Sequence, residues 1–340
     1  MIRPLLSEGD VAPDCILQDA GGNEINLRSD SVAGNPIVLV FCPRLSGAGG
    51  ALLKCDAEHL QSLLANGARI FVATLDKADV ASAEKPGFPI LLDRREQVFA
   101  SFSAPRDRPS TVVLRCNHHV GGIFNGDPEA QVAATLSLLE RMGWERETVL
   151  MHVHPPVLLI PEVFSREDCA RLIDIFETRG NVFIEPQAAM DFMKGADYKM
   201  RIPEHMREDR IDHFFFEKGT LAFLSNRLNR IVPEIHKAFQ YRITKYEALR
   251  VACYQGHRGG FSHGHRDNIP PYLYRRFAMS INLNTEDFEG GELRFLEFGD
   301  QRYRPETGTA IVFSSSLLHE AMHVTAGRRF VFLAFLFGEQ

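Results

Sequence analysis

At 340 residues, 45% of them hydrophobic and 24% charged, the chain is long enough for two packed cores. A formal charge of −6 and an isoelectric point near 6.1 supply no broad basic field, so a nucleic-acid partner is not expected. No signal peptide is visible, and the longest apolar runs, such as Ile37–Phe41 and Phe330–Gly338, are too short to span a membrane and read as strands, so a soluble cytoplasmic protein is expected.

The first half alternates short apolar runs with helix-like segments, the pattern of a sheet flanked by helices. Strands are predicted at Pro36–Cys42, Ala68–Leu75, Pro89–Leu92 and Ser110–Arg115. Between the first two, Leu53, Leu60, Leu63 and Leu64 recur at helical spacing up to Gly67. After the last, Asp127 and Pro128 supply an N-cap and first-turn pair for a helix running to Arg141. The six cysteines (Cys15, Cys42, Cys55, Cys116, Cys169 and Cys253) contain no C-x-x-C pair, which argues against both a zinc knuckle and a disulfide framework.

This half resembles the peroxiredoxin and redoxin branch of the thioredoxin fold, through "EGDVAPDCILQDAGGNEINL" at Glu8–Leu27, "PIVLVFCP" at Pro36–Pro43, "PILLD" at Pro89–Asp93 and "RPSTVVL" at Arg108–Leu114. In that family the turn after the "VLVFYP" strand carries Pro-x-x-x-Thr-x-x-Cys. Here Gly47 and Gly50 stand at the Thr and peroxidatic Cys positions, so the resemblance implies a redoxin-like domain without its peroxide chemistry. Cys42 and Cys55 are the remaining redox candidates, each read more readily as a small buried hydrophobe. Pro109 falls where thioredoxin folds place a cis-proline before a strand, so a cis bond is expected there.

Residues Gly143–Pro156 lack a strong period and end in two prolines, which divides the chain into 1–148 and 149–340. A helix follows, opened by the Ser165/Asp168 capping box, carrying Ala170, Leu172, Ile173 and Phe176 on one face and ending at Gly180. A second is expected from Gly219 onwards, interrupted at Pro233. From Glu247 the pattern becomes strand-like, at Glu247–Tyr254, Phe277–Leu283, Glu292–Phe298, Thr309–Phe313 and Arg328–Phe337. That order suggests a jelly roll with flanking helices.

The chemistry concentrates in the last ninety residues. In an extended segment, residues i and i+2 project to the same side, so His265 and Asp267 can grip one ion. His319, 52 residues beyond Asp267 and just after the apolar run Thr309–Phe313, is the third candidate. Two imidazoles and one carboxylate suit iron(II) with open positions for oxygen and a co-substrate. His257, His263 and His323 compete, and a His263/His265 pair without a carboxylate would suit copper or zinc instead. Arg329, ten residues after His319, lies on a strand apolar on both faces. A guanidinium buried there demands an anion, supplied either by the far carboxylate of 2-oxoglutarate or by Glu292 or Glu297. Arg328 is its rival for the ligand.

In order, "ACYQG…HRDN", "INLN", "FEGGELRF", "YRPETGTAIVFSS", the His319 segment and the closing "GRR" resemble the prolyl 4-hydroxylase branch of the 2-oxoglutarate and iron(II)-dependent dioxygenases, over residues 155–338. The resemblance implies a double-stranded β-helix, His265, Asp267 and His319 as metal ligands and catalytic centre, and Arg329 as the carboxylate clamp. It further implies Tyr254 and Asn282 as contacts of the bound keto acid. His323 stands where the family has Pro before Val324. The implied reaction hydroxylates an unactivated C–H bond of a small molecule, amino acid or peptide, using molecular oxygen and releasing succinate and carbon dioxide. Ascorbate is a candidate accessory reductant. Because Asp267 fills the carboxylate position, no place is offered to chloride, and halogenation is disfavoured. Arg266, Asn268, Arg275 and Arg276 beside the metal segment are candidates to meet an acidic or amide-bearing substrate. The alternatives are a thiol redox or peroxidase-like protein acting through Cys42 or Cys55, and a scaffold that has lost its chemistry. For the redoxin-like half a structural, homodimerising or substrate-holding role is expected.

Overall fold

The computed structural model describes residues 5–19, 21–29, 32, 34–45, 67–82, 89–142, 150, 153–179, 210–256 and 262–338. The chain separates into two compact units, Met1–Val149 and Leu150–Gln340.

In the first unit the strands are β1 (Ile16–Gln18), β2 (Glu24–Asn26), β3 (Ile37–Phe41), β4 (Arg69–Thr74), β5 (Ile90–Leu92), β6 (Ser110–Leu114) and β7 (Val120–Asn125). They form one sheet in the order β2-β1-β5-β4-β3-β6-β7. The β3–β4 and β4–β5 pairs are parallel, and β6 and β7 return antiparallel. A parallel centre continued by an antiparallel hairpin is the thioredoxin-like arrangement. Every residue of β3 is buried, as a central strand covered on both faces requires. Leu39 and Phe41 enter one core with Phe99 and Val112, while Val38 and Val40 enter the other with Leu138 and Leu139.

Three helices are described in this unit: α1 (Lys77–Ser82), α2 (Gln97–Ser101) and α3 (Pro128–Arg141). Asp127 caps α3 by accepting from Glu129 N and Ala130 N, with Pro128 in the first turn. The helix expected around Leu53–Leu64, together with Gly47, Gly50 and Cys55, lies outside the described residues. The expectation of a cis Pro109 is corrected: the cis bond among the described residues is Pro270–Pro271. Pro109 instead enters β6 directly, its carbonyl accepting from buried Gln131 Nε2 at 3.3 Å.

The second unit opens with β8 (Val157–Ile160) and α4 (Arg166–Thr178), followed by β9 (Arg210–Phe214), α5 (Lys218–Leu228) and α6 (Ile231–Phe239). Ser165 Oγ accepts from Asp168 N at 3.1 Å, and the Asp168 carboxylate accepts from Ser165 N at 3.2 Å. Ser165→Ala should therefore destabilise this unit by about 1 kcal/mol, read as a shift in its denaturation midpoint; no shift would mean that the cap is not sustained in solution.

The remaining strands are β10 (Lys245–Gln255), β11 (Ser262–His265), β12 (Phe277–Asn282), β13 (Phe288–Gly290), β14 (Leu293–Phe295), β15 (Arg302–Tyr303), β16 (Ala310–Ser314), β17 (His319–Ala321) and β18 (Val324–Phe337). A major sheet runs β8-β16-β12-β18-β10-β9 and a minor sheet β11-β17-β14-β15, giving a jelly roll. Strand alternation sorts the side chains. Val251, Cys253, Phe330, Phe332 and Leu336 face out, against Leu172, Phe176, Leu224 and Ile235 of the helices. Tyr254, Val331, Phe335 and Ala278 turn inward. The inward face is where the candidate site lies.

Candidate functional site

The minor sheet brings the predicted donors together through one register. Strands β11 and β17 pair antiparallel with His265 directly opposite His319, and their ring centroids are 4.4 Å apart. Asp267 follows β11, its N–H donating to Ser315 O at 2.9 Å, which turns its carboxylate back toward both rings. Asp267 Oδ1 is 3.5 Å from His265 Nε2, and Oδ2 is 3.4 Å from His319 Nε2. The three ligand atoms lie within 4.8 Å of one another.

Each imidazole is oriented by its far nitrogen. His265 Nδ1 is 2.7 Å from His263 O and His319 Nδ1 is 3.0 Å from Leu317 O. Since a carbonyl only accepts, both Nδ1 atoms carry the proton and both Nε2 lone pairs point at the shared centre. Phe313 packs against the His319 ring at 4.7 Å and fixes its plane. For Asp267, burial is the largest influence and raises its pKa. The neighbouring His265, His319 and Arg275 outweigh it, so the carboxyl sits below its usual range. An anionic oxygen and two neutral imidazole nitrogens converging from one side fit a divalent iron whose other side stays open.

Arg329 lies on the inner face of β18 beside Tyr254, to which it is register-matched. Its residue exposure is 4%, its Nε donates to Asn282 Oδ1 at 3.0 Å, and its Cζ stands 5.4 Å above the Tyr254 ring. Burial lowers its pKa, with Tyr254 and Glu292 opposing. No described carboxylate forms an ion pair with Arg329: Glu297 is taken by Arg266 at 2.8 Å, and the rival Arg328 binds Glu177. Glycines shape this corner. Gly291 has φ +70°, and a Cβ there would sit 2.9 Å from Arg329 Cδ and 3.0 Å from Val324 Cγ2. At Gly290, with φ +72°, a Cβ would meet His323 O at 2.2 Å, so the "FEGG" pair is a steric condition for the position of Arg329. The His323 turn is closed by its backbone, with Gly291 N donating to His323 O at 2.9 Å.

His265, Asp267, His319, Tyr254 and Arg329 all line one cavity of about 520 Å³, open mouth included. Asn282 joins it through Arg329. His257 lies outside the described residues, and His263 is exposed. Of the candidates beside the metal segment to meet a substrate, Arg266, Arg275 and Asn268 have partners within the protein. Arg266 holds Glu297, and Arg275 is buried on Glu247 between the Phe335 and Tyr272 rings. Asn268 Nδ2 donates to Ser316 Oγ at 2.6 Å. Sequence reasoning missed Arg210 and Arg250 on the cavity wall, and Asp212, which lies against both. The signal was Arg250 in the alternation Arg250, Ala252, Tyr254, a charge on the inward side of an otherwise apolar strand.

A viral collagen prolyl hydroxylase from Paramecium Bursaria Chlorella virus-1, in complex with 2OG, aligns at 17% identity over 54% of this chain and 96% of its own, with a TM-score of 0.38. Peroxidoxin BcpB from Mycobacterium tuberculosis aligns at 21% identity over 42% of this chain and 99% of its own, with a TM-score of 0.37. A PKHD-type hydroxylase of Alteromonas mediterranea is 41% identical over 64 residues, 18% of this chain, and the match spans 28% of that hydroxylase. Residues 249–337, which contain every donor described above, match the 2OG-Fe(II) oxygenase superfamily and form an oxygenase domain of that family.

Proposed function

We propose that the second unit is an iron(II)- and 2-oxoglutarate-dependent oxygenase that hydroxylates an unactivated C–H bond, with His265, Asp267 and His319 as the metal ligands. The observation that carries this reading is the cross-strand placement of His265 opposite His319 with Asp267 bridging both Nε2 atoms. Iron(II) and 2-oxoglutarate would activate molecular oxygen, the oxidant, one of whose atoms goes to succinate, released with carbon dioxide, and the other to the substrate. The protein's own part is positioning and exclusion of water. Arg329 would take the far carboxylate of the keto acid, Asn282 holds that guanidinium at its Nε, and Tyr254 lies beside it. The apolar wall of Phe313, Val331 and Leu333 keeps the reacting end dry.

The reading includes a small-molecule, amino-acid or peptidyl substrate, ascorbate as auxiliary reductant, and a homodimerising or substrate-holding role for the redoxin-like unit. No described helix is long and apolar enough to cross a membrane. The test is oxygen-dependent succinate release from 2-oxoglutarate, stimulated by small-molecule fractions of a cell extract. Succinate that stays at background with iron bound would contradict it.

The thiol reading gains nothing from Cys42. Burial, reinforced by the Asp79 charge and partly opposed by its contact with Arg44 O, pushes its thiol up to about 11. At pH 8 about one thiol in a thousand is then ionised. Iodoacetamide at that pH should leave Cys42 of the folded protein unmodified; rapid labelling there would favour the thiol reading.

A further inference from the structure

The inner wall of the major sheet carries a second cationic position that the reading above leaves without a task. Arg250, on β10, is 6% exposed and lines the same cavity as the three donors and Arg329. The strand register sets Arg250 beside Leu333 and Tyr254 beside Arg329. Four residues at about 3.3 Å each place the two arginine positions roughly 13 Å apart along the wall. They are two separate positions, not two halves of one clamp.

Arg250 is poorly matched by the protein itself. Its Nη1 donates to Ala248 O at 3.1 Å. Its Nε lies 3.2 Å from Asp212 Oδ2 but out of line, and both atoms are buried without a hydrogen-bond partner. The other oxygen of Asp212 accepts from Arg210 Nε at 2.9 Å, so that carboxylate is divided between two guanidinium groups. Arg275, whose own charge is met by Glu247, adds positive potential from the side. Burial pushes the Arg250 guanidinium below its usual value, with Asp212 opposing. Leaving a buried charged donor unmade is costly, and a cavity-facing guanidinium in that condition is built to receive an oxyanion. The Phe214 and Phe335 ring centroids lie 5.6 and 5.4 Å from its Cζ, and a guanidinium in such aromatic company keeps the planar donor fork that matches a carboxylate.

We propose that Arg250, with Arg210 beside it, is a subsite for a carboxylate on the substrate that is oxidised, held further along the same cavity wall from Arg329. This rests on the oxygenase reading and narrows it. The substrate is a free amino acid, another small organic acid or a chain end, and not an interior residue of a long peptide.

The probe is propionate, titrated calorimetrically into the whole chain loaded anaerobically with iron(II) and saturating 2-oxoglutarate, with inorganic phosphate as a second arm. Wild type should bind one propionate more tightly than phosphate. Arg250→Gln should weaken propionate by at least about tenfold while retaining the visible band of the iron–keto acid complex, which reports an intact fold and oxygenase site. Asp212→Asn, which removes the competing carboxylate, should tighten propionate instead. If Arg250→Gln does not fold, Asp212→Asn decides alone, and unchanged or weaker propionate binding there overturns the subsite. Phosphate preferred to propionate overturns its carboxylate character. A band present in all three proteins with propionate unaffected by either substitution removes this inference alone; a band absent from wild type removes the oxygenase reading and this one with it.

Discussion

Replacing His319 by alanine should abolish the weak visible charge-transfer band of the anaerobic protein with iron(II) and 2-oxoglutarate, and reduce succinate release by more than about 100-fold. Loss of a partner that merely orients a metal ligand costs 10–100-fold, and removal of a ligand should exceed it. His319 is the most enclosed of the two imidazoles, at 7% side-chain exposure against 40% for His265. Its Nδ1–H is held by Leu317 O and its ring by Phe313. His263, two residues before His265, is turned to solvent. Two donors on one side hold iron far more weakly than three. Succinate release that survives His319→Ala unchanged would show that the metal sits elsewhere.

Arg329→Met should separate binding of the keto acid from binding of the metal. Two charge-assisted hydrogen bonds, each worth about 1.5–3 kcal/mol, would be lost, so the Kd for 2-oxoglutarate should rise by at least about 100-fold while iron affinity is retained. The apo-protein should be no less stable than wild type. Arg329 is buried with Asn282 as its hydrogen-bond partner and no described carboxylate in ion-pair contact, and replacing such a buried charge by an apolar side chain of similar length is neutral or stabilising. An internal ion-pair role predicts the reverse, a large loss of stability with 2-oxoglutarate affinity little changed. Calorimetric titration and thermal unfolding of the same two proteins distinguish the cases.

The parts of this structure legible from sequence are those where one local rule dominates. Helix α4 was readable because Ser165 and Asp168 bond reciprocally within four residues, and α3 because Asp127 and Pro128 fit its first turn. Strands β10 and β18 were readable because long apolar alternation admits no other period. The strand expected at Glu292–Phe298 ends at Phe295, where Leu296–Phe298 turns into a 3-10 helix as Leu296 N reaches back to Leu318 O. Strand β7 was missed because "VGGIFN" has two glycines, poor strand formers, and is held in place by its partner β6. Short β11 and β17 carry little pattern of their own, and tertiary pairing makes them strands.

At the site, the spacing of His265 and Asp267 and the later His319 suggested a common centre, and the register of two short strands supplies the convergence. The burden of Arg329 was foreseeable from its apolar strand. The task of Arg250 was not, because the same strand logic applied there was eclipsed by the cluster of arginines nearer Asp267. Arg266 and Arg275 turn out to be spent on Glu297 and Glu247. Which cations are satisfied is a property of the fold, set by carboxylates about 30 residues away in sequence.

The most direct measurement is anaerobic titration of iron(II) into the wild-type chain with 2-oxoglutarate present, followed by visible absorption. The account predicts a charge-transfer band that saturates at one iron per chain and disappears without the keto acid. A protein that binds iron with no such band, or saturates equally after His319→Ala, would contradict it.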